Sequence, residues 1–147
     1  MSAAYSTLAS TASHSASTIL GHSSVVHRRE VLPETRFSRT HKFSISGHEG
    51  YLTVGLFADG RPGEIFIKIS KEGSTLSGLM QGFCRAFSLC LQHGLSVQEA
   101  VDRFRGMRFE PMGATTHPDI PECSSLLDYV ARYLELEFVK KPAAMLS

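Results

Sequence analysis

Three stretches of period-two hydrophobicity, each followed by a glycine-containing break, constrain this chain more than any other feature. In KFSIS, Phe43 and Ile45 alternate with Ser44 and Ser46. After the break GHEG comes YLTVGLF, rich in aromatic and β-branched residues. ADGRPG supplies a turn, with Asp59-Gly60 suited to left-handed backbone and Pro62 fixing φ. EIFIKIS then places Ile65, Ile67 and Ile69 on one face. Runs of this kind predict an antiparallel meander. Ser44, Ser46 and Lys68 mark a face left to water.

The period then changes. Ser74 is a good N-cap, and Leu76, Leu79, Met80, Phe83, Phe87 and Leu91 follow at three- and four-residue steps. They predict an amphipathic helix that Gly94 stops. Ser96 and Glu99 form a capping box for a shorter helix with Val97, Val101 and Phe104 inward. Gly106 ends it. MRFEPMGATTHPDIPE reads as a long connection containing Pro111, Pro118 and Pro121. A third helix is expected from about Cys123 to Val139, with Leu126, Leu127, Val130, Leu134 and Phe138 as its stripe. Strands followed by helices, without βαβ alternation, predict an α+β fold: a three-stranded antiparallel meander followed by three helices packed on one face.

The 147 residues suit one domain with a real core. A net charge of +1 and a charged fraction of 20% give no footprint for nucleic acid or an anionic membrane. No apolar run approaches the roughly 18 residues of a membrane helix. Cys84, Cys90 and Cys123 lack both C-x-x-C and zinc spacing, so the expected compartment is the reducing cytoplasm. Residues 1–30 are rich in Ser, Ala and His and are expected to be a disordered tail. His14, His22 and His27 are too irregularly spaced there to suggest a metal tract. Residues 31–41 are expected to be an extended linker, 42–140 the folded domain and 141–147 a flexible C-terminus.

Two stretches are candidate sites. In KEGS, Lys71, Glu72, Gly73 and Ser74 join the last strand of the meander to the first helix. Free N–H groups at a capped helix start can hold an anion. A joint between sheet and helix needs the same glycine and cap, and no phosphate-loop pattern surrounds it. In RFEPMG, Arg108 and Glu110 flank Phe109 and are expected to pair with each other, with a binding role as the alternative. Cys123 is placed at a helix start, where a thiolate is favoured, but has no basic neighbour; buried, inert cysteine is the expectation for all three. His48 and His93 fall in turn positions without a visible partner. No nucleophile–base or metal constellation stands out.

The blocks THKFSISGHEGYLTVGLFADGRPGEIFIKISKEGSTLSGLMQGF, LQHGLSVQEAVDRFRGMRFEPMG, HPDIP and SLLDYVARYLELEFV resemble, in order and spacing, the C-terminal region of adenosylcobalamin-dependent (class II) ribonucleotide reductases. The resemblance spans roughly Thr40 to Val139. It implies membership in a system that reduces ribonucleotides with a cobalamin-derived radical. In that family the radical cysteine, the reducing cysteine pair and the phosphate-binding loop belong to a large barrel domain. The zinc-suited cysteines of many members have no counterpart here, so no metal is carried over. A C-terminal cysteine pair is also missing from KKPAAMLS. The resemblance therefore implies an accessory domain or small subunit that binds no cofactor alone, catalyses nothing alone and docks on a large class II chain. The alternative is a stand-alone binding or regulatory module derived from that domain. DGRPGEIFI and KEGS both lie within the resemblance, which does not decide between a joint and a contact.

Overall fold

The structure, a computed structural model, describes residues 28–70 and 73–141. The expected disordered tail up to residue 27, Lys71, Glu72 and the C-terminal residues 142–147 lie outside the described residues.

The meander is present as β1 (Ser38–Ile45), β2 (His48–Leu56) and β3 (Pro62–Ile69). Its register places Phe43, Gly50 and Ile69 in one row and Lys42, Tyr51 and Lys68 in the next. The first kind of row is buried and the second is exposed, as the alternation predicts. Gly50 is needed for close approach: a Cβ there would sit 2.5 Å from the Phe43 ring and 2.7 Å from the Lys68 carbonyl oxygen. β1 begins at Ser38, ahead of its apolar pair, because its polar first half pairs with β2 from Ser38–Gly55 onward. Arg39 and His41 thus stand on the buried face beside Phe43 and Ile45.

Helix α1 (Thr75–Gln92) starts at Ser74, whose Oγ accepts from the Ser77 amide at 3.1 Å. Helix α2 (Val97–Phe104) starts at Ser96, whose Oγ accepts from the Glu99 amide at 3.1 Å. Met80, Phe87 and Leu91 enter the core, as does Val101 of α2. Leu79 does not: it is 68% exposed. The buried face of α1 is rotated away from it and carries Cys84, Ser88 and Gln92 instead.

The long connection is where the expectation fails. It contains a hairpin, β4 (Gly113–His117) and β5 (Ile120–Cys123), giving five antiparallel strands rather than three, in the order β3-β2-β1-β4-β5. The attachment is narrow: the Ser46 amide donates to the Ala114 carbonyl at 2.8 Å, and Ser46 Oγ donates to the Met112 carbonyl at 2.6 Å. Cys123 consequently ends a strand and does not start a helix. Helix α3 (Leu126–Leu134) is capped by Ser125 and runs on as a π-helical segment, Glu135–Lys140.

Candidate functional site

The outer edge of β3 meets α1 in a run of side-chain contacts that determines the site. Along β3, alternate residues direct their amides and carbonyls away from β2. Helix side chains meet these groups one after another. Gln92 Nε2 donates to the Gly63 carbonyl at 2.9 Å. Ser88 Oγ accepts from the Ile65 amide at 2.9 Å and donates to the Cys84 carbonyl at 2.6 Å. The Ile67 amide points at the Cys84 sulfur; burial pushes that thiol up to about 11, with this amide acting the other way. The spacing explains the match. Two strand residues rise about 6.7 Å, and four helical residues rise about 6 Å. Cys84, Ser88 and Gln92 are therefore in step with Ile67, Ile65 and Gly63.

The next position in step on the helix is Met80, which is apolar and buried. The polar ladder ends there, short of Ile69. Beside it β3 and α1 enclose a groove of about 750 Å³. Its walls carry Arg29, Lys68 and Arg85, and its far end is formed by Gly73, Ser77 and Gln81. Among the described residues one carboxylate lines it, Glu64, whose Oε1 already accepts from Arg36 Nε at 2.5 Å. Arg29 Nε donates to Gln92 Oε1 at 2.7 Å, which ties the entering chain to the groove mouth.

Of the sequence candidates, Gly73 lines this groove and Ser74 caps the helix above it. Gly73 has φ +79°, so the joint needs glycine for its backbone. Lys71 and Glu72 are among the undescribed residues. Arg108 and Glu110 are both exposed, lie outside the groove and are not paired with each other. The expected ion pair is absent because the chain there turns toward β5 instead of extending as a strand: the Phe109 amide donates to the Ser124 carbonyl at 3.1 Å. His48 opens β2 and His93 is the C-cap of α1.

A second polar cluster lies under α3. Asp128, fully buried, accepts from the Gly106 amide at 2.7 Å, the Ser124 amide at 3.0 Å and Arg132 Nε at 2.9 Å. Burial acts to raise its carboxyl, but the two amides and the guanidinium prevail and hold it below the usual range. Nearby, His41 Nε2 and the Tyr129 hydroxyl are 2.8 Å apart, and the His41 ring stacks on Tyr133 at 4.5 Å and meets His117 edge-on at 5.4 Å. Burial, then His117, lowers His41 below the ordinary histidine value, against the pull of Glu137. Among the described residues no group of His, Cys, Asp and Glu is placed to hold a metal ion. None of these cluster partners was assigned from the sequence. The signal for the groove was present, since polar Cys84, Ser88 and Gln92 recur every four residues beside the apolar stripe.

The TSCPD domain family matches residues 25–138. The chain belongs to this family. Vitamin B12-dependent ribonucleotide reductases contain similar sequence: 54% identity over 112 residues in Rhodopirellula baltica, 43% over 111 in Streptantibioticus cattleyicolor and 42% over 116 in Agrobacterium fabrum. The matches cover 76%, 76% and 78% of this chain, but 11%, 18% and 9% of those reductases. No solved structure matches. The resemblance drawn from the sequence blocks is thereby upheld. No step is assigned to that cofactor on this TSCPD domain. Among the described residues no helix is long and apolar enough to cross a membrane.

Proposed function

We propose that this TSCPD domain is an accessory domain of an adenosylcobalamin-dependent ribonucleoside-diphosphate reductase, docking on the large chain that performs the radical chemistry. The observation that carries this is the 54% identity to a small part of a vitamin B12-dependent ribonucleotide reductase. Adenosylcobalamin and nucleotide belong to the large chain in this reading, and the location is that enzyme's, the cytoplasm. Within the docking surface we assign contact roles to Lys71 and Glu72 at the joint and to Arg108 and Glu110 before β4, with Gly73 and Ser74 holding the joint's shape. Charges at a docking surface contribute to partner choice more than to folding.

The test is co-purification of the tagged chain with a class II reductase from the native extract, followed by a deoxyribonucleotide assay with and without the chain. Recovery of the large chain, and a change in its turnover, is expected. Lys71→Ala or Glu72→Ala should weaken recovery while leaving the thermal midpoint unchanged. If the reductase is neither bound nor affected, the accessory reading fails. Turnover by the chain alone would also overturn it.

A further inference from the structure

We infer that residues 28–37 form a latched strap, which lifts off the domain as one piece while the fold beneath stays intact, and which in lifting opens the Gln92 end of the β3–α1 groove. This goes beyond the accessory reading and stands without it, since it depends only on how the chain holds its own entering segment.

Three observations converge. The first is that the segment, expected from the sequence to be tail and linker, has a fixed seat. The Glu30 amide donates to the Gln92 carbonyl at 2.8 Å, and Arg29 Nε donates to Gln92 Oε1 at 2.7 Å. The Glu30 carboxylate accepts from Arg61 Nη2 at 2.9 Å and 3.0 Å. Arg36 Nε donates to Glu64 Oε1 at 2.5 Å, and its Nη1 donates to the Pro33 carbonyl at 2.8 Å. The Arg36–Pro33 bond lies within the strap and holds its bend, so the segment keeps its shape when it moves. Its hinge is fixed where the Leu56 amide donates to the Phe37 carbonyl at 2.9 Å and β1 begins at Ser38.

The second is the character of these contacts. They are hydrogen bonds and ion pairs, and Arg29, Glu30, Arg36 and Arg61 are all exposed. Val31 is 75% exposed and Phe37 74%. No residue of the strap belongs to the hydrophobic core. Exposed ion pairs contribute little each and weaken with salt. β1 pairs with β2 from Ser38 onward without help from the strap. A segment held in this way opens at the low end of the free-energy range within a fold.

The third is Leu32, the strap's one half-buried residue. Its Cδ2 lies 2.7 Å from the point where a Cβ on Gly63 would stand, and Phe57 Cε2 lies 2.8 Å from the same point. The bare Gly63 and the Phe57 ring thus form a slot that the leucine fills. One half-buried leucine gives the strap a single resting position and little further hold. Lifting the strap empties the slot, frees one side of Gln92 and takes Arg29 out of the groove wall.

The test is trypsin cleavage of the full chain under native conditions, followed at the bond after Arg36. Cleavage there is expected while the bonds after Arg85 on α1 and Arg132 on α3 stay intact. Its rate, taken relative to a synthetic peptide carrying the same bond, should rise with salt. Leu32→Ala should speed it about tenfold and Glu30→Gln about threefold. Both variants should move the thermal midpoint little, because the strap is already off before the fold melts. Val31→Ala should change neither rate nor midpoint. Hydrogen exchange gives an independent reading. The Glu30 amide should exchange with little dependence on added denaturant, whereas the Ile65 amide, held by Ser88, should exchange only with the fold. Cleavage after Arg36 and exchange at Glu30 that carry the full denaturant dependence of global unfolding would overturn the proposal. So would a cleavage rate that Leu32→Ala leaves unchanged, or one that Val31→Ala raises equally. A fall of several degrees in the midpoint of Leu32→Ala would make the strap part of the cooperative fold, and the proposal would fall.

Discussion

The two sides of the molecule satisfy buried backbone groups in different ways. On the α1 side, Cys84, Ser88 and Gln92 each meet one group of one strand, in register, and the register runs out before the strand does. On the α3 side, a single carboxylate gathers amides from the end of α2 and the start of α3, and a guanidinium closes over it. A ladder follows the length of an element and leaves an end; a hub has none. The first arrangement borders a groove of about 750 Å³, and the second has its carboxylate fully buried. Both are complete in their own terms, because no buried side-chain nitrogen or oxygen among the described residues lacks a partner.

If the two sides form one cooperative unit, the strongest perturbation is at the aromatic contact joining them. Phe87 is 4% exposed, stacks on Phe83 at 5.5 Å and meets Phe104 of α2 edge-on at 5.7 Å. Phe87→Ala should cost about 4 kcal/mol, with a single denaturant transition. Two transitions, with the α1 side melting first, would break the comparison by showing two independent units.

Next is the hub. Asp128→Ala removes the acceptor of two amides and one guanidinium together. A loss of about 3 kcal/mol is expected from denaturant unfolding. The pH behaviour supplies a second check. The folded carboxyl lies below its unfolded value, so its contribution is full above the unfolded value near 4 and is lost as pH falls through the folded one. The wild-type chain should therefore lose stability more steeply in that acid range than Asp128→Ala. Equal slopes would show that the hub is not charged.

The ladder should be more forgiving. Gln92→Leu leaves the Gly63 carbonyl and Arg29 without their partner, but Arg29 and Gln92 line a groove open to water. About 1–2 kcal/mol is expected. A loss as large as that of Asp128→Ala would mean that the groove is closed in solution.

What the sequence revealed divides along the same line. Ile65, Ile67 and Ile69, the caps Ser74 and Ser96, and the breaks at Gly94 and Gly106 act locally, so periodicity and capping chemistry found them. The β4–β5 hairpin is short, holds Pro118 and Pro121, and buries Ile120 and Cys123 without apolar alternation between them. Its strand character comes from Ser46, far back in the chain, and from Thr115 Oγ1 donating to the Ile120 carbonyl. No local pattern reports such pairing. The groove falls between these cases. The four-residue spacing of Cys84, Ser88 and Gln92 is plain, but their partners lie on β3, so the spacing alone does not say what they bind. The joint Gly73–Ser74 was legible as architecture because a positive φ and a cap leave sequence marks, whereas Arg108 and Glu110 have no side-chain partner among the described residues.

The smallest effect belongs to the histidine beneath the hub. His41 is half-buried between the Tyr129 hydroxyl and the Tyr133 ring, with His117 at its edge and Glu137 and Arg39 beyond. Burial and His117 disfavour its charged form, so its folded value lies below the unfolded value near 6.5. Below that value the unfolded chain binds more protons than the folded one, so stability falls as pH drops. The contribution is full above about 6.5 and is lost as pH falls through the lower folded value, a window above that of Asp128. Thermal midpoints should decline modestly from pH 7 toward pH 5.5 in the wild-type chain. His41→Phe retains the stacking on Tyr133 and removes the proton. It should start less stable, because the Tyr129 hydroxyl loses its partner, and show a flatter profile over that window. A profile as steep as wild type would assign the titration to another histidine and leave His41 as a packing residue.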